Sequence, residues 1–114
     1  MSQLFIGTFL FIAMHTLVWW STNAQFVEGW KTSDALILSI FLAVPITLLA
    51  FYASRYTYDA LDERVWSVRF IGFGVSYFVF PFLTWLFLGE SMFTAKTLLC
   101  TFLSFLIIYI QIKM

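Results

Sequence analysis

Residues 67–90, SVRFIGFGVSYFVFPFLTWLFLGE, decide how the chain is read. From Ser67 to Leu88 they make a 22-residue apolar run, punctuated by Gly72, Gly74 and Pro81 and closed by Gly89-Glu90. At 1.5 Å rise per residue a helix of that length reaches about 33 Å, enough to cross a hydrocarbon core of about 30 Å. Gly72, Gly74 and Pro81 weaken its hydrogen-bond ladder, which makes this the span most able to bend. Gly72 and Ser76 form a small-xxx-small pair, a packing motif of membrane helices. Gly89 is a natural helix stop.

The same pattern extends outward in both directions. Thr94 to Ile112 is a second apolar run with one cysteine, Cys100, and no charge between Lys96 and Lys113. Toward the N-terminus two further runs cover about 4–22 and 35–54. The six basic and six acidic residues fall in four places: Glu28–Asp34, Arg55–Arg69, Glu90–Lys96 and Lys113. With 62% hydrophobic, 22% aromatic and 11% charged residues, a chain of 114 residues exposes more apolar surface than water tolerates. The expected fold is therefore a single all-α domain over 1–114. It has four transmembrane helices, about 4–22, 35–54, 67–88 and 94–112, with both termini on one side. The first run lacks a basic leader and is longer than the apolar part of a signal peptide, so it is expected to be a true span.

Within span 1, Thr8, His15 and Thr22 recur at seven-residue spacing and share a stripe flanked by Phe11 and Trp19. A polar stripe suits a face turned to other helices or to a cavity. Trp19 and Trp20 near its far end are expected at headgroup level. Thr32 or Ser33 is expected to cap span 2, with Asp34 in its first turn. Span 2 carries the small residues Ser39, Ala43, Thr47, Ala50 and Ser54 as a packing stripe, and Pro45 is expected to kink it. Arg55 to Arg69 reads as a helical extension or short surface helix held by local ion pairs such as Arg55–Asp59, with Tyr56, Tyr58 and Trp66 at the interface. Its charges are expected to be those of a solvated connector, with a substrate-binding cluster as the alternative.

Four basic residues, Arg55, Arg64, Arg69 and Lys113, fall on the side of the termini, against Lys31 and Lys96 on the other. The positive-inside rule then puts both termini in the cytoplasm. The expected setting is the inner membrane of a bacterium or a phage-infected cell. Net charge is zero, so no nucleic-acid partner is expected. There is no serine–histidine–acid set, no paired buried carboxylates and no glycine-rich phosphate loop, so no enzyme activity and no cofactor are expected.

Gly74-Val75-Ser76, Pro81 and Trp85-Leu-Phe-Leu-Gly89-Glu90 carry a resemblance. Together with four spans in about 110 residues, they make the chain similar to the small multidrug resistance family of the drug/metabolite transporter superfamily. The likeness is best over residues 72–110, about a third of the chain. It implies a four-helix transporter fold. That family holds a glutamate in the middle of helix 1 for cations and protons. This chain has no carboxylate there, and His15 is the central ionisable residue. The resemblance thus implies the fold and not the cation–proton chemistry.

Three readings of His15 stand side by side. It is a neutral histidine bonded within the bundle, a handler of protons or substrate near its ordinary pKa of about 6.5, or a cofactor ligand. The last is handicapped because it is the only histidine, with Met14, Met92 and Cys100 as weak substitutes. No metal site is expected. Two functions follow. In one, copies of the chain pair around a cavity lined by Thr8, His15, Ser39, Thr47, Gly74 and Tyr77, with Trp19 beside it, for a small apolar, weakly basic or lipid-like solute. In the other, the chain is a non-catalytic subunit of a larger membrane complex. The bilayer is a partner in both.

Overall fold

The computed structural model describes residues 2–113. They form four α-helices, α1 Ser2–Asn23, α2 Thr32–Ala60, α3 Val65–Leu88 and α4 Ala95–Lys113, each long and apolar enough to cross a membrane. A single 3₁₀ turn, Ala24–Phe26, follows α1, and no strand occurs among the described residues. The chain is a small multi-pass membrane protein built as a four-helix bundle.

Local chemistry sets the helix ends. Gly89 terminates α3 at φ 74°, a left-handed conformation that a side chain disfavours. Thr94, expected as the first residue of span 4, instead caps α4, its Oγ1 accepting the Thr97 N–H at 3.3 Å. The expected cap of α2 by Thr32 or Ser33 is not what forms. Both lie inside the helix, because Ala35 N–H already bonds the Lys31 carbonyl at 3.0 Å. Lys31 holds the cap position without a side-chain bond, and Asp34 in the first turn offsets the exposed N–H dipoles.

Past residue 54, α2 runs on to Ala60, with Arg55 and Asp59 paired at 3.4 Å on its surface. Of the two forms expected for this stretch, the continuous extension is the one adopted. The helix closes where Leu61 N–H bonds Thr57 carbonyl and Glu63 N–H bonds Tyr58 carbonyl, both at 3.0 Å. Asp62 and Glu63 both take φ 57° to reverse the chain there. Left-handed backbone at a non-glycine residue costs roughly 1–2 kcal/mol. The four-residue connection 61–64 requires it.

Pairwise contacts give the helix directions. Gly7 sits against Ala53 and Thr57, and Ser21 bonds Ser39 at 2.8 Å, so α1 and α2 are antiparallel. His15 meets Gly72 and Trp19 meets Thr84, so α1 and α3 are parallel. Gly74 faces Ile108 and Phe78 stacks on Phe105 at 5.2 Å, so α3 and α4 are antiparallel. Ser2, Ala60, Val65 and Lys113 therefore share one end, called here the terminal end.

The core is the α1/α3 pair. α1 buries Phe11, His15 and Trp19, four residues apart, beside Ile71, Gly72, Val75, Val79 and Leu83 of α3, while Gly7 turns to Ala53 and Thr57 of α2. α2 covers α1 and α4 covers α3, giving a body of 45 × 35 × 20 Å. Outward, Phe41 is 74% exposed and Val44 66%, an arrangement that only a lipid surrounding makes stable.

The expected small stripe of α2 is rotated from the packing face. Ala35, Ala53 and Thr57 are buried, roughly 60° around the helix from the stripe's centre. Ser39 still reaches α1, but Thr47, Ala50 and Ser54 turn to a groove beside α3. Both prolines lie within unbroken helices, which lose one backbone donor at each.

Candidate functional site

The site begins with an absence of side chain at Gly72. A Cβ there would lie 3.2 Å from the Phe11 ring, so glycine lets that ring rest on the α3 backbone. One turn along α1, His15 Nε2 donates to the Gly72 carbonyl at 2.9 Å. A carbonyl only accepts, so Nε2 carries the hydrogen, and Nδ1 is left without a bond among the described residues. The ring is held between Phe11, stacked with centroids 6.3 Å apart, and Phe80, edge-on at 6.2 Å. His15 lies thirteen residues from Ser2 and eight from Asn23, about 20 Å and 12 Å along the axis. An imidazole thus stands deep in the span, 9% exposed, with one nitrogen committed.

Two grooves meet at this ring. The first, about 760 Å³, lies between α2 and α3 on a floor of Phe11, Met14 and His15, and leads to Arg55, Tyr58 and Arg69 at the terminal end. The second, about 600 Å³, lies between α1, α3 and the start of α4, and leads past Tyr77 and Thr84 to Glu90 at the opposite end. Only His15 and Phe73 line both. The charges differ: the first groove holds two arginines and no carboxylate, whereas Glu90 is the one charged residue of the second.

The residues singled out from the sequence separate in space. His15 is at the junction. Tyr77 and Pro81 line the second groove, and Thr47 and Gly72 line the first. Thr8 is half-buried and lines neither groove, and Thr22 is exposed, bonding the Val18 carbonyl at 3.0 Å in its own helix. Trp19 is fully buried in the bundle, its Nε1–H donating to Thr84 Oγ1 at 2.9 Å on α3. Its indole packs on Trp20 and Phe87 and touches neither groove. Ser39 is used up in the α1/α2 seam. Gly74 turns away from the histidine, and a Cβ on it would come within 2.8 Å of Ile108. Pro45 lies inside α2 and lines neither groove.

Phe73, Arg55 and Arg69 are among the groove residues that sequence reasoning did not place at a site. The signal for the arginines was present. A four-residue reversal sets the ends of the two helices it joins side by side, and Arg55, six residues before 61–64, and Arg69, five after it, fall at similar depth on them. Among the described residues no three histidine, cysteine, aspartate or glutamate side chains gather as a metal site. Comparison of the chain with known families, curated proteins and solved structures finds no match in any of the three.

Proposed function

We propose that the chain is a membrane carrier that moves a small solute with an apolar body, working as a homo-oligomer. The observation that supports this is the pair of grooves leading from opposite ends of the bundle to one shared histidine and one shared phenylalanine. A solute entering either groove reaches the same ring, which is the minimum that alternating access from two sides requires. Both grooves are open along their length, so a second copy is the wall that closes them. The resemblance of residues 72–110 to the small multidrug resistance family supports the same reading. In it, His15 stands in span 1 where that family carries its glutamate. The terminal end, with Arg55, Arg64, Arg69 and Lys113, is cytoplasmic in this proposal.

The test is flux in proteoliposomes with three probes sharing an aromatic body: a neutral one, an amine and an alkyl phosphate. At least one is expected to cross faster than in protein-free vesicles, and His15→Phe, which keeps a ring between Phe11 and Phe80, is expected to lower that flux at least tenfold. Flux at the protein-free rate for all three probes, or flux unchanged by His15→Phe, would falsify the carrier reading.

A second reading is favoured by α4. It packs mainly on α3, and Leu99, Phe102 and Tyr109 on its outer face are about 60% exposed. A larger membrane protein seated there would make the chain an accessory subunit. Gentle extraction followed by mass measurement separates the two: copies of this chain with lipid support the carrier, and a fixed ratio to unrelated subunits supports the accessory role.

A further inference from the structure

The first groove has a polar end and an apolar floor, and its charge is of one sign. Its walls carry Arg55 from α2 and Arg69 from α3. Depth along the bundle can be read from the contacts. Arg55 lies between Ala53 and Thr57, which face Gly7, so it is level with Gly7. Arg69 is three residues before Gly72, which faces Phe11 and His15, so it is level with about Leu10. The two arginines therefore stand on opposite walls within roughly 5 Å of the same depth. From there the groove runs roughly 8–12 Å deeper to His15.

Neither guanidinium is spent. Arg55 meets Asp59 on the exposed side, Nε at 3.4 Å, a surface pair of little strength that a phosphate can displace. Arg69 has no acidic partner among the described residues, and its guanidinium lies 5.1 Å from the Phe73 ring centre, held along the wall by cation–π attraction. Two forked donors lining one groove from different helices suit a phosphate, whose oxygens accept paired N–H bonds. Below them the floor is Phe11 and Met14, with Val68 and Phe73 on the wall, which suits hydrocarbon. The groove volume, about 760 Å³, falls among those of small-molecule sites, roughly 300–1,000 Å³.

We propose that this groove binds an anionic phospholipid from the surrounding leaflet, its phosphate between Arg55 and Arg69 and one acyl chain on the α1 floor. Charge complementarity and the depth of the arginine pair, one to two turns inside the helix ends, select a lipid headgroup over a solute from the water phase. This rests on the groove alone, and where the carrier reading also holds it names the solute class as an amphiphilic anion.

The experiment is native mass spectrometry of the whole protein in mixed phosphatidylglycerol and phosphatidylcholine. The wild type is expected to retain phosphatidylglycerol over phosphatidylcholine by roughly tenfold, and R55Q/R69Q to bring the ratio within about twofold of unity. Arg64→Gln with Lys113→Gln removes two charges from the same end outside the groove and is expected to leave the preference intact. Circular dichroism of each variant verifies that the helices are retained. No preference in the wild type, an equal loss in the Arg64/Lys113 pair, or displacement of the lipid by millimolar inorganic phosphate would each overturn the proposal. The preference is expected to persist in His15→Phe. Lipid selectivity without flux would thus remove the carrier and keep this site, and flux without selectivity would do the reverse.

Discussion

At the scale of the residue, the bundle is tied by two cross-helix hydrogen bonds from aromatic nitrogens of α1. His15 gives its Nε2 hydrogen to a backbone carbonyl and Trp19 gives its Nε1 hydrogen to the Thr84 hydroxyl. In hydrocarbon an unmet N–H has no water to turn to, so each ring is fixed by the partner it finds. Such bonds between membrane helices are worth about 0.6 kcal/mol on average and up to about 1.7. Trp19→Phe and Thr84→Val are each expected to cost about 1 kcal/mol in detergent unfolding, and the double variant little more than the larger single loss. Additive losses would mean that the two side chains act separately. The sequence marked His15 as the one ionisable group of the first apolar run, and that alone made it legible. It carried no mark for Gly72 as its acceptor, because the choice between Gly72 and Gly74 depends on which way α3 is turned.

At the scale of the element, glycines set how closely the helices approach. A side chain at Gly7 would overlap Thr57, and one at Gly74 would meet Ile108, whereas nothing lies within 4 Å of a Cβ at Gly89. Gly7→Leu and Gly74→Leu are accordingly expected to push α1 from α2 and α3 from α4, each lowering stability by about 1–3 kcal/mol. Gly89→Ala acts only through its left-handed backbone and is expected to cost about 1 kcal/mol without moving any helix. Thermal unfolding in detergent, with cysteine cross-linking across each seam, checks both parts. A seam that cross-links as in the wild type despite the leucine would rule out the close-approach account. The lengths of α1, α3 and α4 were readable to within a few residues, since charge, glycine and threonine punctuate the apolar runs, whereas α2 runs six residues past its expected end. The roll of α2 was not, because Ala53 and Thr57 compete with Ala50 and Ser54 as equally small faces.

At the scale of the whole molecule, the up-down-up-down order puts Ser2 and Lys113 at one end and Lys31 and Lys96 at the other. In a Cys100→Ala background, Lys113→Cys and Lys31→Cys are expected to label with a membrane-impermeant maleimide from opposite sides of the bilayer. Labelling of Lys113→Cys only from the cytoplasmic side matches the proposed orientation, and labelling of both from one side would rule out four spans.

The sequence by itself determined the solvent, the number of helices and their approximate ends, because crossing a bilayer demands long uninterrupted apolar runs with every backbone group bonded inside the segment. It also isolated His15, since a single imidazole in such a run has no close rival. Only the tertiary structure decided which face of each helix turns inward. In water, burial separates apolar from polar faces and writes the inside of a helix into its sequence. In lipid both faces are apolar, so the distinction rests on steric fit: Gly7 against Thr57, Gly72 beneath Phe11, Gly74 against Ile108. That fit turned Trp19 into a structural tie, drew Arg55 and Arg69 onto facing walls of one groove, and joined two grooves at His15.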